Sequence, residues 1–174
     1  MPRLLTLSGS VRAASTNAAV LRTVAAVAPD GVDVVAFDGL RALPHFDPDL
    51  DTDPLPGPVA ELRAAIAAAD ALLVCTPEYA GALPGSFKNL LDWTVGGDEI
   101  GGTRAGWVNA STAPGGAAGA HAELRTVLGY TGAALVEDAC AAVPVARDTI
   151  VDGLVTDPAV RERLRAVALT LVSA

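Results

Sequence analysis

The chain has 174 residues, enough for one domain with a sizeable core, and a formal net charge of -8. That acidity, without any basic patch, argues against a phosphate-backbone partner such as nucleic acid and against an anionic membrane surface. Hydrophobic residues make up 51% of the chain but aromatics only 4%, so the core must come from Ala, Val and Leu.

No apolar run reaches the roughly 20 residues of a transmembrane helix, and no signal-peptide layout opens the chain. Cys75 and Cys140 lie far apart, with neither C-x-x-C nor metal spacing, and Cys75 reads as a small buried hydrophobe. The expectation is a cytoplasmic, soluble protein with no membrane or metal partner.

Strand-length apolar runs alternate with helical patterns, which predicts an α/β protein with a parallel sheet. The first strand is expected over Arg3 to Leu7, followed by a helix over Thr16 to Ala28 with Val20, Leu21, Val24 and Ala25 on its apolar face. Pro29-Asp30-Gly31 turns the chain into a second strand, Val32 to Phe37. A loop rich in Pro and Asp then runs from Asp38 to Pro58, longer than a mere connection requires. Its Asp49, Asp51 and Asp53 begin like a calcium loop. Pro54 occupies the turn-glycine position and Ala60 the bidentate-Glu position, so calcium is rejected and a solvated acidic loop is expected.

A second helix over Val59 to Ala69 leads to Ala71-Leu72-Leu73-Val74-Cys75, a continuous apolar run suited to a strand buried on both faces. A third helix starts near Pro84, with Phe87, Leu90, Leu91 and Val95 as its buried stripe. The fourth strand spans Ala105 to Ala110, the fourth helix extends to about Gly129, and a fifth strand covers Ala133 to Val136. Residues Arg147 to Asp157 show no clear pattern, and the last helix runs from Pro158 to Leu171. Five strands alternating with helices predict a flavodoxin-like three-layer sandwich, a single domain over 1–174, with parallel strand order 2-1-3-4-5. Loops of unusual composition follow strands one, three and four, so all three converge at one sheet edge.

The first of these is Ser8-Gly9-Ser10-Val11-Arg12-Ala13-Ala14-Ser15-Thr16-Asn17. Hydroxyls at Ser10, Ser15 and Thr16, the Asn17 amide and the Arg12 cation suit a terminal phosphate, and Gly9 permits close backbone approach. The sequence is neither a Walker A loop nor G-x-G-x-x-G. The same residues equally suit plain capping of the helix that follows, and spacing alone leaves both readings open.

Two segments together resemble the NADPH-dependent FMN reductase family, which includes quinone, chromate and azo-dye reductases. They are Gly9-Ser10-x-Arg12-x-x-Ser15-x-Asn17 and Pro77-Glu78-Tyr79-x-x-x-x-Pro84-x-x-x-Lys88-Asn89-x-x-Asp92-Trp93. The resemblance implies FMN as cofactor, with its phosphate held by Ser10, Arg12, Ser15, Thr16 and Asn17. It implies that Pro77, Glu78, Tyr79, Ala80 and Gly81 line the isoalloxazine, and that a loop including Ser111, Gly115 and Gly116 closes the other side. Many members carry Asn after the tyrosine, where this chain has Ala80-Gly81. The activity implied is ping-pong hydride transfer from NADPH or NADH, through the flavin, to a quinone, a flavin or another small acceptor. A homodimer or homotetramer is implied as well.

Apart from the resemblance, Glu78 is the one weak candidate for a general acid, although it equally suits capping the third helix or pairing with an arginine. Tyr79 suits stacking or packing. Lys88 and Asp92 form an i, i+4 pair, Trp93 suits a subunit interface, and all four residues of that stretch read as structural rather than catalytic. His45 and His121 read as surface residues, since neither has a second partner at ligand spacing. No nucleophile constellation is present, which fits chemistry carried by a cofactor. Two other classes fit the same features: a flavodoxin-type electron-transfer protein, and a non-catalytic relative that binds a phosphorylated ligand.

Overall fold

The computed structural model describes residues 1–173. Five strands form one parallel sheet: β1 (Arg3–Ser8), β2 (Asp33–Phe37), β3 (Ala71–Cys75), β4 (Arg104–Asn109) and β5 (Ala134–Ala142), in the order β2-β1-β3-β4-β5. Five helices cover its faces: α1 (Thr16–Val27), α2 (Gly57–Ala67), α3 (Gly85–Asp92), α4 (Ala118–Tyr130) and α5 (Pro158–Val172). One apolar layer packs Val59, Leu62, Phe87, Leu91 and Leu124 against one face of the sheet. The other packs Val20, Val24, Leu164, Val167 and Leu171 against the opposite face. All five residues of β3 are buried, as its unbroken apolar sequence requires.

Three expectations about these elements need adjustment. Ala25 points to solvent although it follows the apolar face of α1. Helix α3 stops at Asp92 with Trp93 as its C-cap, so Val95 falls beyond the helix and is 65% exposed. Strand β5 continues to Ala142 instead of ending at Val136. Glu137 and Asp138 interrupt its apolar run because they occupy an outward bulge, where the register against β4 shifts between Ala105 and Trp107. Gly106 faces this bulge, and a side chain there would put its Cβ 2.8 Å from the Ala139 carbonyl.

The unpatterned stretch after β5 also has structure. A single 3-10 turn (Arg147–Thr149) leads into a small antiparallel hairpin, β6 (Ile150–Val151) and β7 (Leu154–Val155). The hairpin docks on α1: Val155 donates its N–H to Thr23 Oγ1 at 2.9 Å, and Arg22 Nε donates to the Gly153 carbonyl at 3.1 Å.

The long 38–58 loop leaves Asp49 and Asp53 in solvent, as expected, but is latched to α3 at Pro44 and Phe46. Asn89 Nδ2 donates to the Pro44 carbonyl at 2.8 Å, and its Oδ1 accepts the Phe46 N–H at 2.7 Å. Trp93 is fully buried, donates Nε1–H to the same Pro44 carbonyl and meets the Phe46 ring edge-on. It therefore belongs to the core and not to a subunit interface. Asp51, expected in solvent, makes a 2.6 Å ion pair with Arg63, which also donates to the Trp93 carbonyl. Lys88 and Asp92 do form their surface i, i+4 pair. Asn89→Ala removes both amide bonds to the loop and is expected to lower unfolding free energy by about 2 kcal/mol. Urea unfolding of variant and wild type measures it, and equal midpoints would show that the latch contributes nothing.

Candidate functional site

At the carboxyl edge of the sheet, β1 and β3 diverge because their helices leave on opposite faces, and a cleft opens at that switch point. Just beyond the strands, Gly9 donates its N–H to the Cys75 carbonyl at 2.9 Å, so the two backbones stay paired past β1. A Cβ at Gly9 would lie 2.1 Å from Thr76 Oγ1 and 2.9 Å from Thr76 Cα, so only glycine fits there.

The cleft holds about 330 Å³, within the usual range for a small-molecule site. Thr16 and Asn17 line it from α1, Thr76, Pro77 and Glu78 from the end of β3, and Ser111 to Ala113 from the end of β4. The three loops singled out in the sequence thus meet. Ser10, Arg12 and Ser15 belong to the first loop without lining the cleft, and the Arg12 side chain is exposed. Tyr79, Ala80, Gly81, Gly115 and Gly116 likewise sit in the surrounding turns and not in its walls. Val145 and Arg147 complete the cleft from the segment after β5. Sequence reading missed both, because only the length of β5 reveals where that segment runs.

The first loop caps the helix that follows and still leaves donors free beside the cap. Ser15 is the N-cap of α1, and its Oγ accepts the Ala18 N–H at 3.2 Å. Its own hydroxyl hydrogen remains available to a ligand. Among the described residues, the N–H groups of Thr16 and Asn17 have no acceptor, so the first turn of α1 presents free donors and the positive end of its dipole. Cys75 Sγ lies 3.2 Å from Asn17 Oδ1, which turns the amide nitrogen of Asn17 away from the sheet. Burial pushes the Cys75 thiol far up, so it stays a protonated donor.

On the opposite wall, Tyr79 and Ala82 exchange backbone hydrogen bonds around Ala80 and Gly81, both at positive φ. This is a type I′ turn, whose left-handed position 80 asparagine would occupy with less strain than alanine does. Tyr79 is 57% exposed at the tip of this turn. Gly119 packs directly under the turn, since a Cβ on it would meet the Gly81 carbonyl at 2.1 Å. Glu78 Oε2 accepts the Ala120 N–H at 3.0 Å. It caps α4 rather than α3, and supplies the acceptor that the α4 N-cap, Ala117 in a left-handed conformation, has no side chain to provide. Asn109 organises the loop between: its Nδ2 donates to the Gly116 carbonyl, and its Oδ1 accepts the Ser111 N–H at 3.1 Å.

His121 is buried at 7% exposure, which corrects its expected place on the surface. Its Nδ1 lies 2.8 Å from the Ala117 carbonyl, its ring rests 5.8 Å from Trp107, and its Nε2 has no partner among the described residues. The i, i+4 reach back to Ala117 secures the left-handed residue that starts α4. His45 is exposed as expected. Among the described residues, no group of three or more metal-ligating side chains comes together.

Two measurements test these local assignments. Ala80→Asn relieves a non-glycine residue at φ 52° and is expected to raise unfolding free energy by roughly 0.5–1 kcal/mol. An unchanged or lower urea midpoint would contradict the strain. Burial lowers the His121 pKa from its usual 6.5, against the opposing pull of its bond to the Ala117 carbonyl and of the Glu78 charge. As pH falls below about 6.5, the unfolded chain takes up this proton before the native one does, so stability is lost toward the lower native pKa. Melting curves from about pH 7.5 to 5.5 should show a shallower decline in His121→Gln than in wild type. Parallel declines would mean that His121 contributes no such linkage.

Comparison with known proteins fits this geometry. Residues 2–148 match the family model described as NADPH-dependent FMN reductase. A quinone reductase from Escherichia coli is 36% identical over 92 residues, a stretch that is 52% of this chain and 49% of that protein. The chain therefore spans about half the length of that relative. An NAD(P)H-dependent FMN reductase from Pseudomonas aeruginosa is 34% identical over 128 residues, 72% of this chain and 69% of the relative. Among solved structures, the flavoenzyme NAD(P)H:(acceptor) oxidoreductase of Paracoccus denitrificans superimposes with a TM-score of 0.82 at 27% identity, covering 99% of this chain and 96% of that one. By its family match, its fold and the loops that meet at its cleft, this chain belongs to the NADPH-dependent FMN reductase family.

Proposed function

We propose that the chain is an FMN-dependent oxidoreductase that moves a hydride from NADPH or NADH to a quinone, a flavin or another small acceptor, by a ping-pong scheme. The observation that carries this reading is the convergence of three loops on one cleft, with free helix N–H donors at one end and a wall of Pro77, Ala110, Ala113 and Ala117 beside them. Family membership agrees with it. The residues present fit the cofactor: unpaired donors suit its phosphate, and the backbone crowding at Gly9 and Gly119 keeps side chains out of the loops that surround it. When bound, FMN supplies the hydride and electron chemistry.

The protein's own part is binding and orientation. Ser10, Arg12, Ser15, Thr16 and Asn17 hold the phosphate, with the α1 dipole favouring its charge. Pro77, Glu78 and Tyr79 offer backbone along the ring, and the Glu78 N–H has no acceptor among the described residues. The turn at Ala80 and Gly81 bounds that side, and Ser111, Gly115 and Gly116 bound the other. Glu78 acts as a scaffold through its bond to Ala120, not as an acid.

We read residues 1–174 as one flavodoxin-like domain. Self-association as a homodimer or homotetramer is supported by an apolar groove between α3 and α4, lined by Leu83, Gly85 and Val127. Two free cysteines support a cytoplasmic setting, and no helix among the described residues is long and apolar enough to cross a membrane.

The test is a visible absorption spectrum of the purified protein before and after adding FMN and desalting, followed by NADH and NADPH oxidation with a quinone or ferricyanide. Flavin bands that survive desalting and nicotinamide oxidation that needs FMN are the expected results. Arg12→Ala is expected to weaken FMN binding by about tenfold. Protein that ignores added FMN and leaves both nicotinamides unoxidised would overturn the proposal. Rapid reduction by a reductase protein but not by nicotinamides would favour an electron carrier instead.

A further inference from the structure

Glu78 and Arg147 are the charged side chains that line the cleft. Glu78 already caps α4. Arg147 has no hydrogen-bond or ion-pair partner among the described residues, although it sits in a defined turn. The segment carrying it is fixed at both ends. Val143 and Val145 donate their N–H groups to the carbonyls of Asn109 and Ala110, at 2.8 and 3.1 Å, which continues the β4–β5 pairing past the sheet. On the far side, Val155 and Gly153 bond to Thr23 and Arg22 of α1. The extended β5 and its hairpin thus carry Arg147 over the carboxyl edge of the sheet and into the cleft shared with Thr16 and Asn17. Both of these present N–H donors that have no acceptor.

We propose that Arg147 is a second phosphate-binding cation, closing the FMN phosphate site from the wall opposite the 9–17 loop. This rests on the functional reading above and adds a residue to it. An arginine without a partner, fixed by its backbone and lining the same cleft as unpaired amide donors, is complementary to a dianion. In a chain of net charge -8, a local cation also offsets the general repulsion of an anionic ligand. Both arginines are exposed, but Arg147 lines the cleft whereas Arg12 stands outside its walls.

The experiment titrates the full-length wild type, Arg147→Ala, Arg147→Lys and Arg12→Ala with FMN and with riboflavin, by quenching of flavin fluorescence. Arg147→Ala is expected to raise the FMN Kd at least about tenfold while riboflavin changes by less than about twofold. Arg147→Lys should recover part of the loss, and FMN binding to Arg147→Ala should depend less on salt than in wild type. Because Arg147 is exposed and makes no internal bond, the variants should melt with wild type, which separates binding from folding. An unchanged FMN Kd in Arg147→Ala overturns the assignment, as does an equal loss for FMN and riboflavin, which would put the arginine against the ring or ribityl chain. A shift confined to NADPH-over-NADH preference overturns it too. Binding of FMN by wild type tests the functional reading separately, so the two can fail independently.

Discussion

The bond from the Gly9 N–H to the Cys75 carbonyl is the contact on which the site depends. It extends the pairing of β1 and β3 by one residue beyond the sheet, at the point where strand order reverses and the following helices leave on opposite faces. The backbones are so close there that Thr76 fills the space a side chain on Gly9 would need. The 9–17 loop and the 76–81 segment therefore leave one fixed point in divergent directions. The cleft between them is a consequence of sheet topology, with the loop residues placed on its rim.

Much of this was legible from local pattern. The apolar run of β3, the phase of α1 and α5, and the alternation of strands with helices determined the layer order, because each reports burial at its own position. What escaped was non-local. The end of β5 was hidden because its bulge sets Glu137 and Asp138 outward within a strand, and a period-based reading stops at the first pair of charges. Arg147 was lost with it, since only the continued strand shows that this turn overhangs the cleft. His121 read as a surface residue because nothing nearby in sequence says that Trp107 and the Ala117 carbonyl will enclose it. For the same reason Asp51 read as solvated, its partner Arg63 lying on the next helix.

The Lys88-Asn89-x-x-Asp92-Trp93 stretch shows how a motif can be diagnostic without touching the chemistry. Asn89 and Trp93 converge on a single carbonyl, that of Pro44, and so hold a long loop that has few backbone bonds of its own. The loop in turn reaches the site, because Arg41 from its first turn donates to the Val11 carbonyl of the 9–17 segment. A chain of polar contacts thus runs from α3 through the loop to the rim of the cleft. Its members must keep their identity for geometric reasons, since a buried amide or indole N–H left without its acceptor is costly.

The versatile side chains near the cleft share a common fate. The Glu78 carboxylate is committed to the Ala120 N–H, His121 to the Ala117 carbonyl, and the Cys75 thiol to the Asn17 side chain. Each could in principle act as acid, base or nucleophile, yet each holds backbone or another side chain in place. Burial moves the cysteine and the histidine toward their neutral forms, which suits structure better than proton transfer. Such an arrangement matches the reaction proposed here, in which a bound flavin carries the electrons and the protein must only fix its ring and phosphate. Rigid backbone at the rim then matters more than reactive groups, and glycines at 9, 81 and 119, where β-carbons would collide or φ is positive, are its sequence signature.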